Sequence, residues 1–339
     1  MNDNNPMFHA DQKYLNIVKD VLLNGNFKRN RTDVATISKF GVSYTLDNSK
    51  HFPLLTTKKM DGARWDSLVH ELIWYLSGEH HIRNLREHTS IWDEWADEDG
   101  NLETAYGRFW RSYPVPGGPS RKEKEAWVNL SDDHVNTEGF DVSFDQLQYV
   151  IQKLKKSPNS RRIHMTAWHP ANASKSLLPP CHHSVTFNVQ NGNGLNLHLQ
   201  QRSGDIALGA PFNIGSYALL QRLIANETGL KARKFHHSIT DAHVYCGRGE
   251  RADWWEENID RFQETRPFES WETLWNQSEP PKEEKPYDHI PGLMEQYSRP
   301  AMKSPNVEIA NKPIDDIEYD DIKLKNYDSH DSISFAVAP

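Results

Sequence analysis

Three runs of alternating apolar and polar residues lie close together in this chain, and they constrain its fold more than any other feature. They read RIHMTAW at 162–168, SVTFNV at 184–189 and LNLHLQQR at 195–202, with the turn sequence NGNG between the last two. A period of two is typical of strands with one buried face. An apolar helix is predicted at about 213–228, and a further strand reads FHHSITDAHVY at 235–245. We therefore expect an α+β fold, with residues 1–339 in one domain and a mixed or mostly antiparallel sheet packed with helices.

Three more helices are predicted from apolar residues at helical spacing. They cover 14–23, 66–77 and 143–156, and the last is expected to begin with a capping box of Ser143 and Gln146. Two other stretches, 114–140 and 277–305, are rich in proline and charge and show no period. We interpret these two as insertions into the domain rather than as parts of its core.

Charge and cysteine content restrict the classes of function. The net charge of −8 over 339 residues gives no basic surface for nucleic acid, so an anionic substrate needs a local cluster of arginines. Two cysteines without a CxxC pair indicate a reducing compartment. No secretory signal is evident at the N-terminus, and the apolar runs are too short to span a bilayer. We expect a cytoplasmic protein that requires neither a membrane nor nucleic acid.

Cys181 stands in LLPPCHHSVTFNV, between two prolines and two histidines. It can be a buried packing residue, since cysteine is among the most buried residue types. A nucleophilic role needs a thiolate stabilised by cations or by a helix terminus. A zinc site with His182, His183 and Cys246 lacks any recognised ligand spacing, so no metal is expected. The residues alone leave the packing role and the nucleophilic role open.

Other polar residues also allow a structural and a functional interpretation. Arg202 and Ser203 can hold an oxyanion together. Asp205 can be a solvated strand-end residue, and Asn213 can be the N-cap of the apolar helix that follows. The pair at 161 and 162 lies at the exit of a helix, where arginines complement the helix dipole.

Glu71 lies within LVHELIWYL, an apolar sequence that predicts its burial. A buried carboxylate must be paired or have a raised pKa, because burial disfavours its charge. Trp92 and Trp95 in IWDEWADEDG are compatible with the edge of the core or with a stacking wall for a flat ligand. Neither feature decides the function by itself.

The order of these motifs along the chain resembles one family closely. The matching segments, from about residue 11 to the C-terminus outside the two insertions, are NRT near residue 31, FPLLTTKK, HELIWYLSG, IWDEWADEDG, YGRFWR, SPNSRRI, PPCHH, QQRSGD, LGAPFNI and DAHVY. They are similar to the signature of thymidylate synthase, of the type that uses a folate and no flavin. The resemblance implies the thymidylate synthase fold and a homodimer that forms through the face of the sheet and shares its active sites.

The resemblance also implies a reaction. The family methylates C5 of dUMP, with 5,10-methylenetetrahydrofolate as carbon donor and hydride donor, and releases dihydrofolate. C5 of uracil is a poor nucleophile until a thiolate adds to C6. Cys181 occupies the position of that thiolate, and Arg202 favours its charged form. The other residues implied in catalysis are Glu71, Tyr106, Asp205 and Asn213.

Binding residues are implied in the same way. Those for the nucleotide are Arg31, Arg202 and Ser203 for the phosphate, Arg161 and Arg162 from a second subunit, Asn213 for the uracil amide edge, and His243 and Tyr245 for the sugar hydroxyl. Those for the folate are Lys58, Trp92, Trp95, Leu178, Asp205, Gly209, Phe212 and Ala338. The chain departs from the family pattern in the segment 58–67 and at its terminal Pro339.

Three alternatives remain at this stage. A hydroxymethylase of the same superfamily would use water where the synthase uses hydride, and a cytidylate-specific relative would carry aspartate in place of Asn213. A nucleotide-binding or RNA-binding protein would bind without turnover. A hydrolase would use Cys181 with a histidine base.

Overall fold

A six-stranded sheet forms the centre of the protein in the computed structural model, which describes residues 9–102, 105–114, 135–136, 143–173 and 178–338. In chain order the strands are β1 Asn26–Lys28, β2 Thr36–Asp47, β3 Tyr113–Pro114, β4 Val135–Asn136, β5 Ser143–Phe144, β6 His164–Thr166, β7 His182–Gln190, β8 Gly194–Asp205, β9 Lys231–Tyr245, β10 Asn306–Ile309 and β11 Ile322–Lys325. The large sheet has the order β1-β2-β9-β8-β7-β6. Its β8–β9 pair is parallel and its other pairs are antiparallel, which confirms the mixed sheet. Smaller sheets are β10-β11 and β3-β5-β4.

Helices pack against the large sheet and against one another. They are α1 His9–Asn24, α2 Ala63–Ser77, α3 Arg83–Arg86, α4 Tyr106–Arg111, α5 Gln146–Lys156, α6 Pro170–Ala173, α7 Gly209–Thr228, α8 Glu250–Glu264, α9 Trp271–Gln277 and α10 Ile290–Ser298. The helix α7 makes the crossover that a parallel pair of strands requires. It is apolar on nearly all sides and ends at Gly229, whose φ of 68° lies in the left-handed region that favours glycine. Within the described ranges, no helix is long and apolar enough to cross a membrane.

The start of α5 differs from the prediction. Ser143 belongs to the short strand β5, and the helix begins at Gln146. Its N-cap is Asp145, whose carboxylate accepts a hydrogen bond from the backbone N–H of Gln148 at 2.9 Å. The predicted capping box is therefore wrong, because Ser143 is paired in the strand and Asp145, an equally good N-cap residue, lies at the start of the helix.

One extra residue in β7 changes which side chains face the core. The pairing with β8 shifts between His182 and Ser184, so His183 is the extra residue of a bulge. Regular alternation would put His182 and Val185 on opposite faces. Both instead face inwards, since Val185 belongs to the main apolar cluster and His182 hydrogen-bonds to α7. The bulge thereby directs the residue next to Cys181 into the core.

The second of the two predicted insertions can be compared with the structure. Most of 114–140 lies outside the described residues. The second stretch, 277–305, contains α10, whose Ile290 and Leu293 are fully buried members of the main apolar cluster. This helix is thus part of the core, because its apolar residues recur at helical spacing within a charged and proline-rich context.

Polar side chains occupy the sheet face opposite α7. Thr45, His236, His198 and Thr186 form a row across β2, β9, β8 and β7 by their strand pairing. Thr45 contacts the ring of His236 at 2.8 Å, and the two histidine rings lie 4.7 Å apart. A homodimer through this face of the sheet remains a prediction.

Candidate active site

Cys181 lies immediately before β7 and is held from two sides. Its backbone N–H donates to the hydroxyl oxygen of Tyr106 at 2.9 Å, and its carbonyl accepts from the backbone N–H of Arg202 at 2.9 Å. The guanidinium of Arg202 donates to the carbonyls of Pro179 and Pro180 at 2.6 and 3.0 Å. The two prolines therefore present acceptors that fix the arginine beside the cysteine.

The electrostatic surroundings distinguish the two cysteines. Burial raises the pKa of the Cys181 thiol, whereas Arg202, Ser203 and Arg31 act to lower it. Burial raises the pKa of Cys246 well above its ordinary value, and the charge of a nearby carboxylate adds to this effect. Cys181 is half-buried and Cys246 is fully buried. Cys181 therefore has the cations that a thiolate nucleophile needs.

His182 is not arranged as a base for Cys181. Its Nδ1 lies 2.6 Å from the hydroxyl of Tyr217, and its ring stacks on Tyr106 with centroids 3.7 Å apart. Burial lowers the pKa of His182 to about 3, so the ring is neutral at physiological pH. Among the described residues, no group of three or more His, Cys, Asp and Glu side chains is arranged to hold a metal. The geometry thus gives no support to the hydrolase or to the zinc site.

Glu71 is a buried carboxyl group on α2. Its Oε1 accepts a hydrogen bond from the indole N–H of Trp92 at 2.7 Å. Burial raises the pKa of Glu71 to about 7, and the Trp92 hydrogen bond opposes this shift. The group is therefore able to gain or lose a proton near neutral pH, as general acid–base catalysis requires.

Tyr106 lies close to Glu71 because α4 packs tightly against α2. A Cβ atom at Gly107 would lie 2.3 Å from the carbonyl oxygen of Tyr75, so the approach of the two helices requires glycine there. Burial raises the pKa of Tyr106 well above its ordinary value, and the charges of Cys181 and Glu71 contribute. Tyr106 therefore stands between the nucleophile and the carboxyl group.

The C-terminal ends of β8 and β9 carry further predicted residues. They are Arg202, Ser203 and Asp205 on β8 and His243 and Tyr245 on β9. Asp205 pairs with His243, and the rings of His243 and Tyr245 lie 5.2 Å apart on one face of the strand. Parallel strands end at the same edge of a sheet, so these side chains meet beside Cys181.

Asp205 organises the loop between β8 and α7. Its Oδ1 accepts from the backbone N–H groups of Ala207 and Leu208 at 2.8 and 3.2 Å. The Lys58 ammonium donates to the carbonyl of Ala207 at 2.5 Å. Burial lowers the pKa of Lys58 to about 7, while the charge of Asp205 acts to raise it. Lys58 and Asp205, both predicted for the folate, thus contact the same loop.

The C-terminal segment packs against this region. Ala338 forms a small apolar cluster with Val34 and Tyr287, and Tyr245 packs against that cluster. His289, which the sequence motifs did not indicate, contacts the carbonyl of residue 336 through Nε2 at 3.0 Å. Its Nδ1 lies 3.9 Å from Oδ1 of Asp205. His289 therefore connects the terminal segment to the site.

Asn213 lies inside α7 and is not its N-cap. The helix begins four residues earlier, at Gly209. The Oδ1 atom of Asn213 accepts a hydrogen bond from Nε2 of Gln201 at 3.1 Å. A Cβ atom at Gly209 would lie 3.8 Å both from this oxygen and from Cβ of Asp205, which places Gly209 between the two residues. The capping interpretation is wrong, and Gln201, which lies within the motif QQRSGD, is a further site residue for which the sequence gave no role.

The predicted aromatic and aliphatic folate residues are buried or partly buried. Trp92 is buried, whereas Trp95, Leu178 and Phe212 are half-buried and pack against the main cluster. The rings of Trp92 and Tyr106 lie 6.0 Å apart, so Trp92 is near the tyrosine that contacts Cys181.

The predicted phosphate arginines do not all meet in one chain. Arg31 is exposed. Burial raises the pKa of both Cys181 and Tyr245, and the charge of Arg31 acts against this rise. Arg161 and Arg162 are exposed in the turn between α5 and β6, at the far edge of the sheet. A role for this pair in the site of a second subunit remains a prediction.

Comparison with known proteins identifies the family. The sequence model of the family described as thymidylate synthase matches residues 12–339. A curated relative from Haloferax volcanii, named thymidylate synthase, is 51% identical over 331 residues, which are 95% of this chain and 95% of the relative. The matched range spans α2, α4, β7, β8, α7 and β9. This chain belongs to the thymidylate synthase family.

Proposed function

We propose that the protein converts dUMP to dTMP through a covalent adduct between Cys181 and C6 of the uracil. Family membership supports the reaction, and the position of Cys181 between Tyr106 and Arg202 is the observation that supports the adduct. The folate, 5,10-methylenetetrahydrofolate, supplies the one-carbon unit and the hydride when it is bound.

The first step follows from the chemistry of uracil. The Cys181 thiolate forms a bond to C6, and the electrons of the C5–C6 double bond move towards O4 as an enolate. Burial favours the neutral thiol in the free protein, and Arg202 and Arg31 oppose it. The arginines thus favour the thiolate form of Cys181 that the addition to C6 requires.

The nucleotide is held by charge and by hydrogen bonds. In this proposal Arg31, Arg202 and Ser203 bind the phosphate, with Arg161 and Arg162 from a second subunit of a homodimer. Arginine suits this task because its planar donors match phosphate oxygens. The charge of Arg31 already acts on Cys181 and Tyr245, which supports a phosphate position near both.

Three residues recognise the base and the sugar. Asn213 offers a donor and an acceptor on one amide, which suits O4 and N3–H of uracil. His243 and Tyr245 bind the sugar hydroxyl from one face of β9, where their rings contact each other. This division places the base on α7 and the sugar on β9.

Proton transfer is assigned to Glu71 and Tyr106. The pKa of Glu71 is about 7 because of burial, so both protonation states are available at neutral pH. Glu71 acts on O4 through water, and Tyr106 belongs to the network that removes the proton from C5. The hydrogen bond from Trp92 fixes the orientation of the Glu71 carboxyl group.

The residues present fit a folate. Its flat ring suits the side chains of Trp92, Trp95, Leu178 and Phe212, and its polar edge suits Asp205. The remaining residues of this subsite in our proposal are Lys58, Gly209 and Ala338. The docked position of Ala338 against Tyr245 supports a terminal segment that closes the site and excludes water. We infer a cytoplasmic location from the two free cysteines.

A single assay tests the proposal. The purified protein is incubated with dUMP and 5,10-methylenetetrahydrofolate, and the nucleotide and folate products are identified by mass. We expect dTMP and dihydrofolate. Hydroxymethyl-dUMP with tetrahydrofolate would indicate the hydroxymethylase instead, and unchanged dUMP that is nevertheless bound would indicate a nucleotide-binding protein.

A further inference from the structure

A buried chain of hydrogen bonds leads across the sheet to Asn213. Tyr44, His237 and Gln201 lie on the neighbouring strands β2, β9 and β8 and are exposed by 7%, 0% and 2%. The Tyr44 hydroxyl lies 2.7 Å from Nδ1 of His237, and Nε2 of His237 contacts Oε1 of Gln201. Nε2 of Gln201 donates to Oδ1 of Asn213 at 3.1 Å. Each member thus contacts the next through one pair of atoms.

The chemistry of these groups gives the chain a direction. An amide oxygen only accepts, so Nε2 of His237 must carry the proton that it donates to Gln201. Burial lowers the pKa of His237 to about 3, so the ring is neutral and its Nδ1 is an acceptor. Nδ1 therefore accepts the hydroxyl hydrogen of Tyr44.

Tyr44 makes the opposite direction unfavourable. In that arrangement Nδ1 of His237 would donate to the Tyr44 oxygen, and the hydroxyl hydrogen would need another acceptor. Among the described residues, His237 is the hydrogen-bond partner of this hydroxyl, and there is no second one. A buried hydroxyl hydrogen without an acceptor costs free energy. Each group in this series of hydrogen bonds therefore donates to the next one, from Tyr44 towards Asn213.

This direction decides which atom of the Asn213 amide faces Gln201. If the chain reversed, Gln201 would present its oxygen, and the amide of Asn213 would turn over to present its nitrogen. The two bases differ by the same exchange of donor and acceptor. Uracil presents an acceptor at O4 and a donor at N3–H, whereas cytosine presents a donor at its amino group and an acceptor at its unprotonated N3. Each orientation of the Asn213 amide therefore suits one base.

We propose that Tyr44 and His237 are positioning residues that fix the amide orientation of Asn213, through Gln201, and thereby make the site select uracil over cytosine. The proposal rests on the proposed function, in which Asn213 reads the base. Tyr44 acts at a distance of three hydrogen bonds and does not itself contact the nucleotide.

The test compares Tyr44→Phe with a matched control. Tyr14→Phe removes an equally buried hydroxyl, which donates to the carbonyl of Ile206 at 2.9 Å and lies outside the chain of hydrogen bonds. Dissociation constants for dUMP and dCMP are measured by calorimetry for the wild type and both variants. In Tyr44→Phe we expect the preference for dUMP to fall about tenfold, mainly through tighter binding of dCMP, because reversal no longer leaves a buried hydroxyl unpaired. The control should keep the wild-type ratio.

The outcomes separate the two proposals. A general loss of structure weakens both nucleotides by the same factor and leaves the ratio unchanged, which would overturn the positioning role. A wild-type protein that binds neither nucleotide, or prefers dCMP, would instead contradict the proposed function.

A second measurement on the wild type does not depend on a variant that folds. The nitrogen chemical shifts of isotope-labelled His237 report its tautomer, and the signals are assigned by their absence in His237→Phe. We expect the Nε2–H tautomer in the wild type and a mixture of tautomers in Tyr44→Phe. An Nδ1–H tautomer in the wild type would show that the chain runs the other way, and the proposal would fail.

Discussion

The backbone N–H of Cys181 donates to the phenolic oxygen of Tyr106 at 2.9 Å. The phenol therefore helps to set the position of the nucleophile, and its own hydrogen must go to a different acceptor. Tyr106 also stacks on His182, with ring centroids 3.7 Å apart, so its ring has little freedom to move. Tyr106 thus links the position of the Cys181 thiol to the groups proposed to transfer protons.

Replacing Tyr106 by Phe removes that acceptor. We expect kcat to fall by roughly 100-fold, as for the loss of a positioned acid–base group, with a much smaller change in the affinity for dUMP. The ring and its stacking remain, so the fold is retained. Steady-state kinetics and equilibrium binding measure the two effects, and Tyr14→Phe is the control. A kcat close to that of the wild type would remove Tyr106 from the mechanism.

The two cysteines should respond differently to the same change. We expect Cys181→Ser to lose nearly all turnover and still bind dUMP, because the proposed phosphate and uracil contacts lie on other residues. Cys246→Ser should keep its activity, with some loss of stability because its side chain is fully buried. Turnover and nucleotide binding are measured for both. Equal effects on turnover would show that Cys181 is not the nucleophile.

Glu71 should make stability depend on pH. Its pKa in the folded protein is about 7, above the ordinary value of 4.5, so the folded state keeps a proton that the unfolded state loses as the pH rises through this window. The stability of the wild type should therefore fall between pH 5 and pH 8 relative to that of Glu71→Gln, by about 2 kcal/mol. Urea unfolding at both pH values, without ligands, measures the difference. A difference that does not change with pH would contradict the raised pKa.

A change at Asn213 should alter the choice of base. In Asn213→Asp we expect the preference to shift from dUMP towards dCMP, because a carboxyl group can accept from the amino group of cytosine. The change corresponds to roughly 1–3 kcal/mol for each polar group left unpaired. Competition between the two nucleotides gives the ratio directly. If the ratio stays as in the wild type, Asn213 does not recognise the base.

The shared-site prediction can be tested by complementation. An inactive Arg161→Ala/Arg162→Ala protein is mixed with an inactive Cys181→Ala protein under conditions that exchange subunits. In a mixed dimer one site would lack the cysteine and both arginines, while the other would have a full set, so activity should return to about one site per dimer. Native mass measurement confirms the exchange. Activity that stays at background despite exchange would show that the arginines act within their own chain.

Local patterns predicted the main helices and strands well, and they failed where neighbours in space decide. The periods of α2 and α7 are visible in a few turns of sequence. The wrong capping box at Ser143 and the unpredicted bulge at His183 each depend on strand pairing, which no short window contains.

The site shows the same division. Cys181 and Arg202 lie in motifs that can be read along the chain, whereas the partners that orient the site are distant in sequence. Tyr44 and His237 are 193 residues apart, and His289 reaches a carbonyl 47 residues away. Histidine, glutamine and tyrosine are common in half-buried strands, so their residue type alone gave no signal. Only the register of β2, β8 and β9 brings them together.

The bulge at His183 has a consequence for how the protein tolerates changes in length. His182 before the bulge and Val185 after it both face the core, although residues three apart in a regular strand face opposite sides. A substitution at His183 leaves the number of residues between His182 and Val185 unchanged. Deleting the residue would turn either His182 or the downstream apolar residues outwards, since a step of one residue reverses every side chain of a strand. A deletion at this position therefore disturbs more of the fold than a substitution does, because the orientation of the residues on either side depends on the number of residues between them.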